Sequence, residues 1–276
     1  MKDALISRDD LRGLHPVFRG SYGDKLIDIG IKISALHVPN EIYNRSKHLT
    51  SHEFCKDVLD KLGVIRILQN IEVLDDFKDK PFITVSNHPY GHIDGIAVIE
   101  TFASRVDNYK IMVNHILGLI DTMSENFITV DPFGNEDKNK VTFGGIRESI
   151  AHIKKKYPMG FFPAGAVSNL YLKKGKFVIE DRDWQPAVLK IIQKSGIPVI
   201  PVHISGHNSM SFYLSRMFGW KFRNLRLCHE LYNKKGKKVV ITLGEPIMPD
   251  VIKELNGDTV ELGKFLKERT YSLGKK

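Results

Sequence analysis

The feature that most constrains the fold of this chain is an alternation that begins at Pro81, in which short apolar runs rich in β-branched residues alternate with stretches of helical length. The runs are PFITVSN, YKIMVN, FITV, GFFP, IPVIPVHI and KKVVITLG. Such runs are typical of strands buried on both faces, and their alternation with helices indicates an α/β fold. The helical spacing predicts helices over residues 93–104, 144–156, 184–194 and 259–271.

Residues 1–75 have a different pattern. Apolar positions such as Phe54 and Val58 recur at helical spacing, and Ile65 continues the series. The sequence contains no internal repeat, low-complexity segment or Pro/Ser-rich linker. We therefore expect a helical N-terminal extension over residues 1–75, followed by one α/β domain over residues 76–276 with a mixed, largely buried sheet flanked by helices.

Composition excludes several classes of protein. The 276 residues, 42% of them hydrophobic, suffice to bury a normal core. Cys55 and Cys228 have no CxxC or Cys/His spacing, which supports neither a disulfide framework nor a zinc ribbon and favours a reducing compartment.

No apolar run approaches the roughly 18 residues that a membrane-spanning helix needs. Acidic residues interrupt the N-terminus where a signal peptide needs an apolar core, so we expect a cytoplasmic protein.

The formal net charge of +9 is unevenly distributed, because the basic excess lies in the C-terminal third. Lysines cluster at residues 173–176 and 234–238. Such clusters attract anionic lipid head groups, a phosphorylated cofactor or nucleic acid, or they form a solvated surface. Aromatic residues do not interleave with the basic ones as stacking on bases requires, and no helix-turn-helix or RNP-like motif is visible, so we expect no nucleic-acid partner.

Residues 84–95, TVSNHPYGHIDG, carry the strongest indication of chemistry. A predicted strand there runs into a turn rich in Pro and Gly and then into a helix, and reactive side chains are commonly presented at such strand ends. Gly91, between His88 and Asp94, allows the loop to fold back so that the carboxylate meets one imidazole nitrogen. The other nitrogen would accept a proton from an acceptor hydroxyl or amine, as in a Ser-His-Asp triad without the serine. A purely structural loop histidine is the alternative.

Two further predicted strand ends have polar or glycine-rich tails. Residues 160–169 read GFFPAGAVSN, in which Gly165 and its neighbours offer backbone N–H groups to a phosphate or a developing oxyanion, unless the segment is an ordinary turn. Residues 196–209 read GIPVIPVHISGHNS. The tail of this strand, with His203 and His207, either lines a substrate pocket or is structural.

In this order, the three stretches resemble the glycerolipid acyltransferase superfamily of the lysophosphatidic-acid acyltransferase type. The marks of that superfamily are an N-H-x4-D motif, a later F-P-E-G-T-R motif and a final I-P-V-x-P-V strand. The resemblance covers residues 81–209, nearly half of the chain. The form HPYGHID, with five residues between His and Asp, is similar to the HPxGGxDG run of the branch that includes bacterial hemolysin-like and ornithine- or glycine-lipid O-acyltransferases.

The resemblance implies that His88 is the base and Asp94 its partner, and Asn87, Pro163 and Gly165 fall on matching positions. It implies transfer of a fatty acyl group from acyl-CoA or an acyl carrier protein to the hydroxyl of a lysolipid, either lysophosphatidic acid or a lyso-aminolipid. It implies neither a metal nor a bound cofactor. We expect a peripheral enzyme on the inner face of the cell membrane, docked on anionic lipid through its N-terminal helices and C-terminal basic surface.

The segment that binds the acceptor phosphate in that family departs from the pattern. Ala164 stands where the general motif has glutamate, and Ala166 and Asn169 replace residues of the FPAGEVSR form found in the closer branch. A carboxylate and an arginine are therefore missing. We count Ala164 with the substrate-binding segment and hypothesise that Lys173 and Lys174 supply the positive charge instead.

Two alternatives belong to other functional classes. His88, His92 and Asp94 form an H-x3-H-x-D cluster that, with His115 or His203 as a further ligand, predicts a metal-dependent hydrolase. The second alternative is a catalytically weak, lipid-binding homologue, consistent with the two alanines of the FPAGAVSN segment. The intact histidine and aspartate argue against this second alternative.

Overall fold

The strands that the sequence predicts form one large sheet. The computed structural model of the protein describes residues 5, 7–14, 16–130, 136–219, 223, 226–255 and 258–275. Its strands are β1 (Ile65–Gln69), β2 (Ile83–Ser86), β3 (Lys110–Asn114), β4 (Phe127–Val130), β5 (Met159–Phe161), β6 (Asn169–Lys173), β7 (Lys176–Glu180), β8 (Val199–Ile204) and β9 (Lys238–Leu243).

Helices fill much of the remaining chain. The α-helices are α1 (Arg8–Leu14), α2 (Gly23–Ser34), α3 (His37–Ser46), α4 (Ser51–Lys61), α5 (His92–Ala103), α6 (Glu136–Lys154), α7 (Pro186–Ser195), α8 (Met210–Leu214), α9 (Leu227–Tyr232), α10 (Pro249–Glu254) and α11 (Thr259–Ser272). Short 3-10 helices span Pro16–Arg19, Ile71–Phe77, His115–Leu119, Asp121–Asn126, Ser215–Phe218 and Leu273–Lys275. Within the described residues, no helix is both long and apolar enough to cross a membrane.

The large sheet has the strand order β1-β9-β8-β2-β5-β3-β4. Neighbouring strands are parallel except β8 and β9, which are antiparallel. Strands β1 and β9 therefore run opposite to the other five. The predicted fold class, an α/β domain with a mixed sheet flanked by helices, is confirmed.

Helices cover both faces of the sheet, because its central strands present apolar side chains to both sides. On one face lie α4 and α5, and Phe102 of α5 shares a core with Val202 of β8. On the other face lie α6, α7 and α11, and Leu189 of α7 shares a core with Val85 of β2. Full burial of one such side chain stabilises the fold by about 1.5–3 kcal/mol. Strand β2, buried at every position, is therefore a rigid support for the loop that follows it.

Helix α6 begins at Glu136, earlier than the residue 144 that the helical spacing predicts. The predicted start coincides with a pair of glycines at 144 and 145. In the structure Gly145 lies against β4, and a Cβ atom there would come within 2.3 Å of the carbonyl oxygen of Thr129. The glycine therefore allows close packing of helix on strand.

The prediction that Ile65 extends a helix is wrong. Helix α4 ends at Lys61, Gly63 has a left-handed backbone with φ of 65°, and Ile65–Gln69 forms an edge strand parallel to β9. The positions of β1 alternate between exposed and half-buried, so it lacks the continuous apolar run that identified the other strands. This strand precedes the predicted domain boundary at residue 75, which stays a prediction.

Strands β6 and β7 form an antiparallel hairpin, residues 169–180, that does not belong to the large sheet. We call it the β6–β7 hairpin. The sequence analysis did not predict it. Only its inner half is packed, and its apolar runs, LYL in β6 and FVI in β7, are three residues long.

Candidate functional site

Three neighbouring strands end at the same edge of the sheet, and the three stretches predicted to carry chemistry follow them. Strand β2 lies between β5 and β8 and is parallel to both. The carboxyl ends of the three strands therefore meet, as at ligand sites of open α/β sheets. His88 follows β2, Phe162 follows β5 and Ser205 follows β8.

The side chains of His88 and Asp94 are in contact. The Nδ1 atom of His88 lies 2.9 Å from the Oδ2 atom of Asp94. The Asp94 side chain is fully buried, whereas that of His88 is 18% exposed. Among the described residues, Nδ1 makes no hydrogen bond of good angular geometry. A rotation of the ring is therefore needed to align its N–H with the carboxylate, and such tightening on substrate binding is common in catalytic pairs.

Asp94 also fixes the beginning of helix α5. Its Oδ2 atom accepts hydrogen bonds from the backbone N–H groups of Tyr90 and Gly91, each at 2.8 Å. These N–H groups and the positive end of the helix dipole stabilise a carboxylate in the first turn. Gly91 has φ of 93°, and a Cβ atom there would lie 3.1 Å from Val167, so the turn favours glycine. The geometry that begins the helix thus places the carboxylate beside the imidazole.

Two other segments hold His88 from the opposite side. Its ring stacks on Phe162, with ring centres 4.3 Å apart. Its carbonyl oxygen accepts a hydrogen bond from the backbone N–H of Ser168 at 2.8 Å, and its own N–H donates to Oδ1 of Asp181 at 3.2 Å. The position of His88 therefore depends on the segments that follow β5 and β7.

Asp181 is a buried carboxylate that the sequence analysis did not identify. Its Oδ1 atom also accepts a hydrogen bond from Ser168 Oγ at 2.6 Å, and Oδ2 accepts one from Trp184 Nε1 at 3.3 Å. Burial raises the pKa of Asp181, and the Ser168 hydrogen bond and the nearby His88 oppose that shift. Its backbone N–H donates to the hydroxyl of Tyr271 at 2.7 Å. Asp181 therefore joins the His88 loop to the last helix.

Asn87 joins the ends of two strands. Its Nδ2 atom donates to the carbonyl oxygen of Ile204 at 2.9 Å, and its Oδ1 atom accepts from the N–H of Ile204 at 2.7 Å. The side chain is buried. Its polar groups thus fix the loop after β2 against β8, and its predicted part in substrate binding stays a prediction.

The segment from Phe162 to Gly165 forms a tight turn next to the imidazole. The Gly165 N–H donates to the Phe162 carbonyl at 2.9 Å, and Gly165 has φ of 60°. Pro163 and Ala164 are buried, and the Ala164 carbonyl accepts a hydrogen bond from Nε of Arg182 at 2.7 Å. Because the Gly165 N–H is used inside the turn, this group is not available to an oxyanion. Substrate binding by Pro163, Ala164 and Gly165 stays a prediction.

Lys173 and Lys174 lie at the tip of the β6–β7 hairpin. A strand rises about 3.3 Å per residue, which puts Lys173 roughly 16 Å along the chain from Ser168. Lys173 also forms an ion pair with Glu180. The structure does not bring these two lysines beside His88, and their assignment to substrate binding stays a prediction.

Arg223 is a cationic residue closer to the imidazole loop, and the sequence analysis missed it. Its Nη1 atom donates to Oδ1 of Asn169, the residue after Ser168. Its Nε atom is buried and has no hydrogen-bond partner among the described residues. Burial, together with the positive charges of Arg216 and Arg182, lowers the pKa of Arg223. These three arginines create a positive potential beside Asn169, the residue that stands where the FPAGEVSR form has arginine.

The predicted metal cluster of His88, His92 and Asp94 does not form a ligand set. In the described part of the chain, no group of three or more His, Cys, Asp or Glu side chains is arranged to hold a metal ion. Burial and the neighbouring His88 lower the pKa of His92, which also hydrogen-bonds to the backbone of Leu227. His203, a suggested further ligand, lies against Tyr271, with ring centres 6.1 Å apart.

The loop after β8 supports the catalytic loop through Tyr90. Gly206 has φ of 98°, and a Cβ atom there would lie 1.7 Å from the Tyr90 hydroxyl. The buried Asn208 side chain donates from Nδ2 to the Tyr90 carbonyl at 3.1 Å. Nδ1 of His207 lies 2.7 Å from the carbonyl oxygen of Asn208. These contacts give the third stretch a structural part in the site.

Comparison with known proteins gives one family match over most of the chain. Residues 25–276 match the family model described as Acyltransferase. A curated protein from Bacteroides thetaiotaomicron, named lyso-glycine lipid O-acyltransferase, is 26% identical over 247 residues, which are 85% of this chain and 84% of that protein. A protein of the same name from Phocaeicola vulgatus is 25% identical over 260 residues, 86% of this chain and 89% of that protein.

A solved structure also aligns with most of the chain. It is the crystal structure of the 1-acyl-sn-glycerophosphate (LPA) acyltransferase PlsC from Thermotoga maritima. The alignment covers 91% of this chain and 92% of that chain, with 19% sequence identity and a TM-score of 0.48.

Proposed function

The chain belongs to the acyltransferase family, within the glycerolipid acyltransferase superfamily, and from this premise we propose that it moves a fatty acyl group from a thioester donor to the hydroxyl of a lysolipid, with His88 as general base. The observation that carries the proposal is the contact of 2.9 Å between His88 Nδ1 and the buried carboxylate of Asp94, at the meeting point of three parallel strand ends. This arrangement leaves Nε2 of His88 to act on the acceptor.

In the proposed reaction, Nε2 of His88 accepts the proton of the acceptor hydroxyl while the hydroxyl oxygen attacks the thioester carbonyl carbon. Asp94 fixes the tautomer through Nδ1 and stabilises the imidazolium that forms. The tetrahedral intermediate then expels the thiolate as the C–S bond breaks, and the imidazolium returns the proton to the sulfur. The products are the acylated lipid and the free thiol of the donor, which is acyl-CoA or an acyl carrier protein.

The acceptor that we propose is a lysolipid with an anionic head group, and a lyso-aminolipid fits best. The two curated relatives are named for a lyso-glycine lipid. A glycine that is linked through its nitrogen keeps a free carboxylate, and a guanidinium binds a carboxylate by charge-assisted hydrogen bonds. Arg223 is suited to this part, because its buried Nε atom has no hydrogen-bond partner among the described residues and its Nη1 atom contacts Asn169.

We also propose that the protein works as a peripheral enzyme on the inner face of the cell membrane. Helix α2 and the turn before it expose Tyr22, Leu26 and Ile29 at helical spacing, with exposed fractions of 70%, 40% and 54%. An apolar stripe of this kind enters the head-group region of a bilayer, and the basic C-terminal third adds attraction to anionic lipid.

The test is acyl transfer from labelled long-chain acyl-CoA and acyl carrier protein to a panel of lysolipids that includes lyso-glycine lipid and lysophosphatidic acid. We expect product with the wild type and a loss of at least about a hundredfold for His88→Ala. The His92→Ala variant is the matched control, because His92 is next to the same loop but is given no part in proton transfer. Absence of transfer from either donor to any acceptor, by folded protein, would favour the weakly active, lipid-binding alternative.

A further inference from the structure

The β6–β7 hairpin is attached to the candidate site at both of its ends. Ser168, which precedes it, donates to the His88 carbonyl, and Asp181, which follows it, accepts the His88 N–H. The hairpin pairs with no other strand of the described chain and turns at Lys174 and Gly175, both with left-handed backbones. The two ends of the hairpin therefore fix its base to the His88 loop, while its tip lies roughly 16 Å further along the strands.

One face of the hairpin is apolar along its whole length but only half of it is packed. Leu170 pairs with Ile179 across the strands, and both pack on the cluster of Val167, Phe212 and Tyr213. The next pair on the same face consists of Leu172 and Phe177, and these side chains are 66% and 73% exposed. An exposed leucine opposite an exposed phenylalanine is costly in water, and neighbouring exposed apolar side chains mark an interaction surface.

Basic residues surround this apolar pair. Lys173, Lys174 and Lys176 occupy the tip. Lys173 is paired with Glu180, whereas no carboxylate of the described residues pairs with Lys174 or Lys176. A surface that combines exposed apolar side chains with neighbouring cations is typical of proteins that bind the interface of an anionic membrane.

The helix that packs under the hairpin also exposes apolar side chains. Helix α8 contributes Phe212 to the cluster under the hairpin, and its outer side exposes Met210 and Leu214. Met217, in the short helix that follows, is 84% exposed and lies at the same helical spacing. Arg216 lies beside it and is also exposed. Exposed apolar side chains and a cation thus lie close together along residues 210–217, as they do at the tip of the hairpin.

We propose that the tip of the β6–β7 hairpin enters the head-group region of an anionic membrane, with Leu172 and Phe177 reaching the acyl boundary and Lys174 and Lys176 contacting lipid phosphates. The proposal rests on the proposed function, since a lysolipid acceptor lies in such a membrane. The hairpin would hold the His88 loop against the bilayer surface, so that the acceptor's hydroxyl reaches the base without leaving the membrane completely. This contact is separate from the stripe on α2.

The experiment measures sedimentation of the full chain with vesicles made of equal parts phosphatidylcholine and phosphatidylglycerol, and with vesicles of phosphatidylcholine alone. The Leu172→Ser/Phe177→Ser variant should bind the anionic vesicles at least about tenfold more weakly than the wild type. Lys176→Gln should weaken binding to anionic vesicles about fivefold and leave binding to neutral vesicles unchanged. Val260→Ser is the matched control, because Val260 is 57% exposed on α11 and should not change binding.

A second measurement separates this proposal from the proposed function. Transfer from a short-chain donor to a short-chain, monomeric acceptor in the absence of vesicles should be the same for the wild type and the Leu172→Ser/Phe177→Ser variant. If that variant is folded by circular dichroism and binds anionic vesicles as tightly as the wild type does, the hairpin proposal is wrong, whether or not transfer occurs. Loss of binding to acyl carrier protein with unchanged vesicle binding would also overturn it, since the partner would then be an acidic protein.

Discussion

A single carboxylate oxygen of Asp94 both contacts His88 and begins helix α5. Oδ2 lies 2.9 Å from Nδ1 of His88 and accepts the backbone N–H groups of Tyr90 and Gly91 at 2.8 Å each. Because these two N–H groups hold the carboxylate in place, the imidazole has a fixed anionic partner before any substrate binds. Only the imidazole ring then has to rotate to align its N–H with the carboxylate, since the carboxylate itself is already held in place.

Replacement of that carboxylate by an amide should affect activity far more than stability. For Asp94→Asn we expect kcat to fall at least about a hundredfold, because the amide neither fixes the tautomer of His88 nor stabilises its cation. The free energy of unfolding should fall by about 1 kcal/mol through loss of the charge at the helix N-terminus. Steady-state transfer assays and urea unfolding check the two effects.

The matched control is Asp258→Asn. Asp258 accepts the backbone N–H groups of Val260 and Glu261 at the beginning of α11, and among the described residues no histidine forms an ion pair with it. Its replacement should leave the transfer rate unchanged. Equal activity in the two variants would mean that Asp94 is only a helix cap.

Two sets of cations are candidates for the acceptor's anionic group. We expect Arg223→Ala to raise the acceptor KM about tenfold or more with little change in kcat, because a charge-assisted hydrogen bond is lost. The Lys173→Ala/Lys174→Ala variant tests the hypothesis made from the sequence, with short-chain, monomeric acceptors to exclude effects of membrane binding. If the double variant leaves that KM unchanged, the lysine hypothesis is wrong; if Arg223→Ala leaves it unchanged, the arginine assignment is wrong.

The contact of Gly206 with Tyr90 should make this glycine sensitive to substitution. Gly206→Ala places a Cβ atom 1.7 Å from the Tyr90 hydroxyl and adds strain at φ of 98°. Gly196→Ala is the matched control, because Gly196 also has a positive φ but its Cβ would meet nothing within 4 Å. We expect the free energy of unfolding to fall by about 1 kcal/mol for Gly196→Ala and by about 2–3 kcal/mol more for Gly206→Ala. Thermal unfolding measures both changes. If the two variants lose similar amounts of stability, the close contact between Gly206 and Tyr90 is contradicted.

The pH dependence of stability should report the burial of His203. Burial lowers the pKa of His203, so the folded protein binds this proton less tightly than the unfolded chain, whose histidines titrate near about 6.5. The contribution to stability is therefore fully present above that pH and is lost as the pH falls through the lower, folded-state pKa.

Urea unfolding at several pH values between about 7.5 and about 5 checks this prediction. The free energy of unfolding of the wild type should fall over that interval. His203→Gln should reduce the fall without abolishing it, since His92 and His152 also have pKa values lowered by burial. An identical pH dependence in the two proteins would show that His203 does not contribute.

Much of the fold could be predicted from the sequence because its signals are local. A continuous apolar run identifies a strand such as β8, buried at nearly every position, whatever its neighbours are. Edge strand β1 and the β6–β7 hairpin escaped prediction, because β1 alternates between exposed and half-buried positions and the apolar runs of β6 and β7 are only three residues long. The early start of α6 escaped it because Gly145 is adapted to a contact with β4 that no local pattern records.

The sequence by itself indicated the pair of His88 and Asp94, since a short loop that contains Gly91 allows the two side chains to meet. Only the tertiary structure decided which groups support that pair. Asp181 is 93 positions from His88, and Arg223 reaches Asn169 across 54 positions. Contacts over such separations depend on the strand order and on the packing of the helices, and no spacing along the chain reports them.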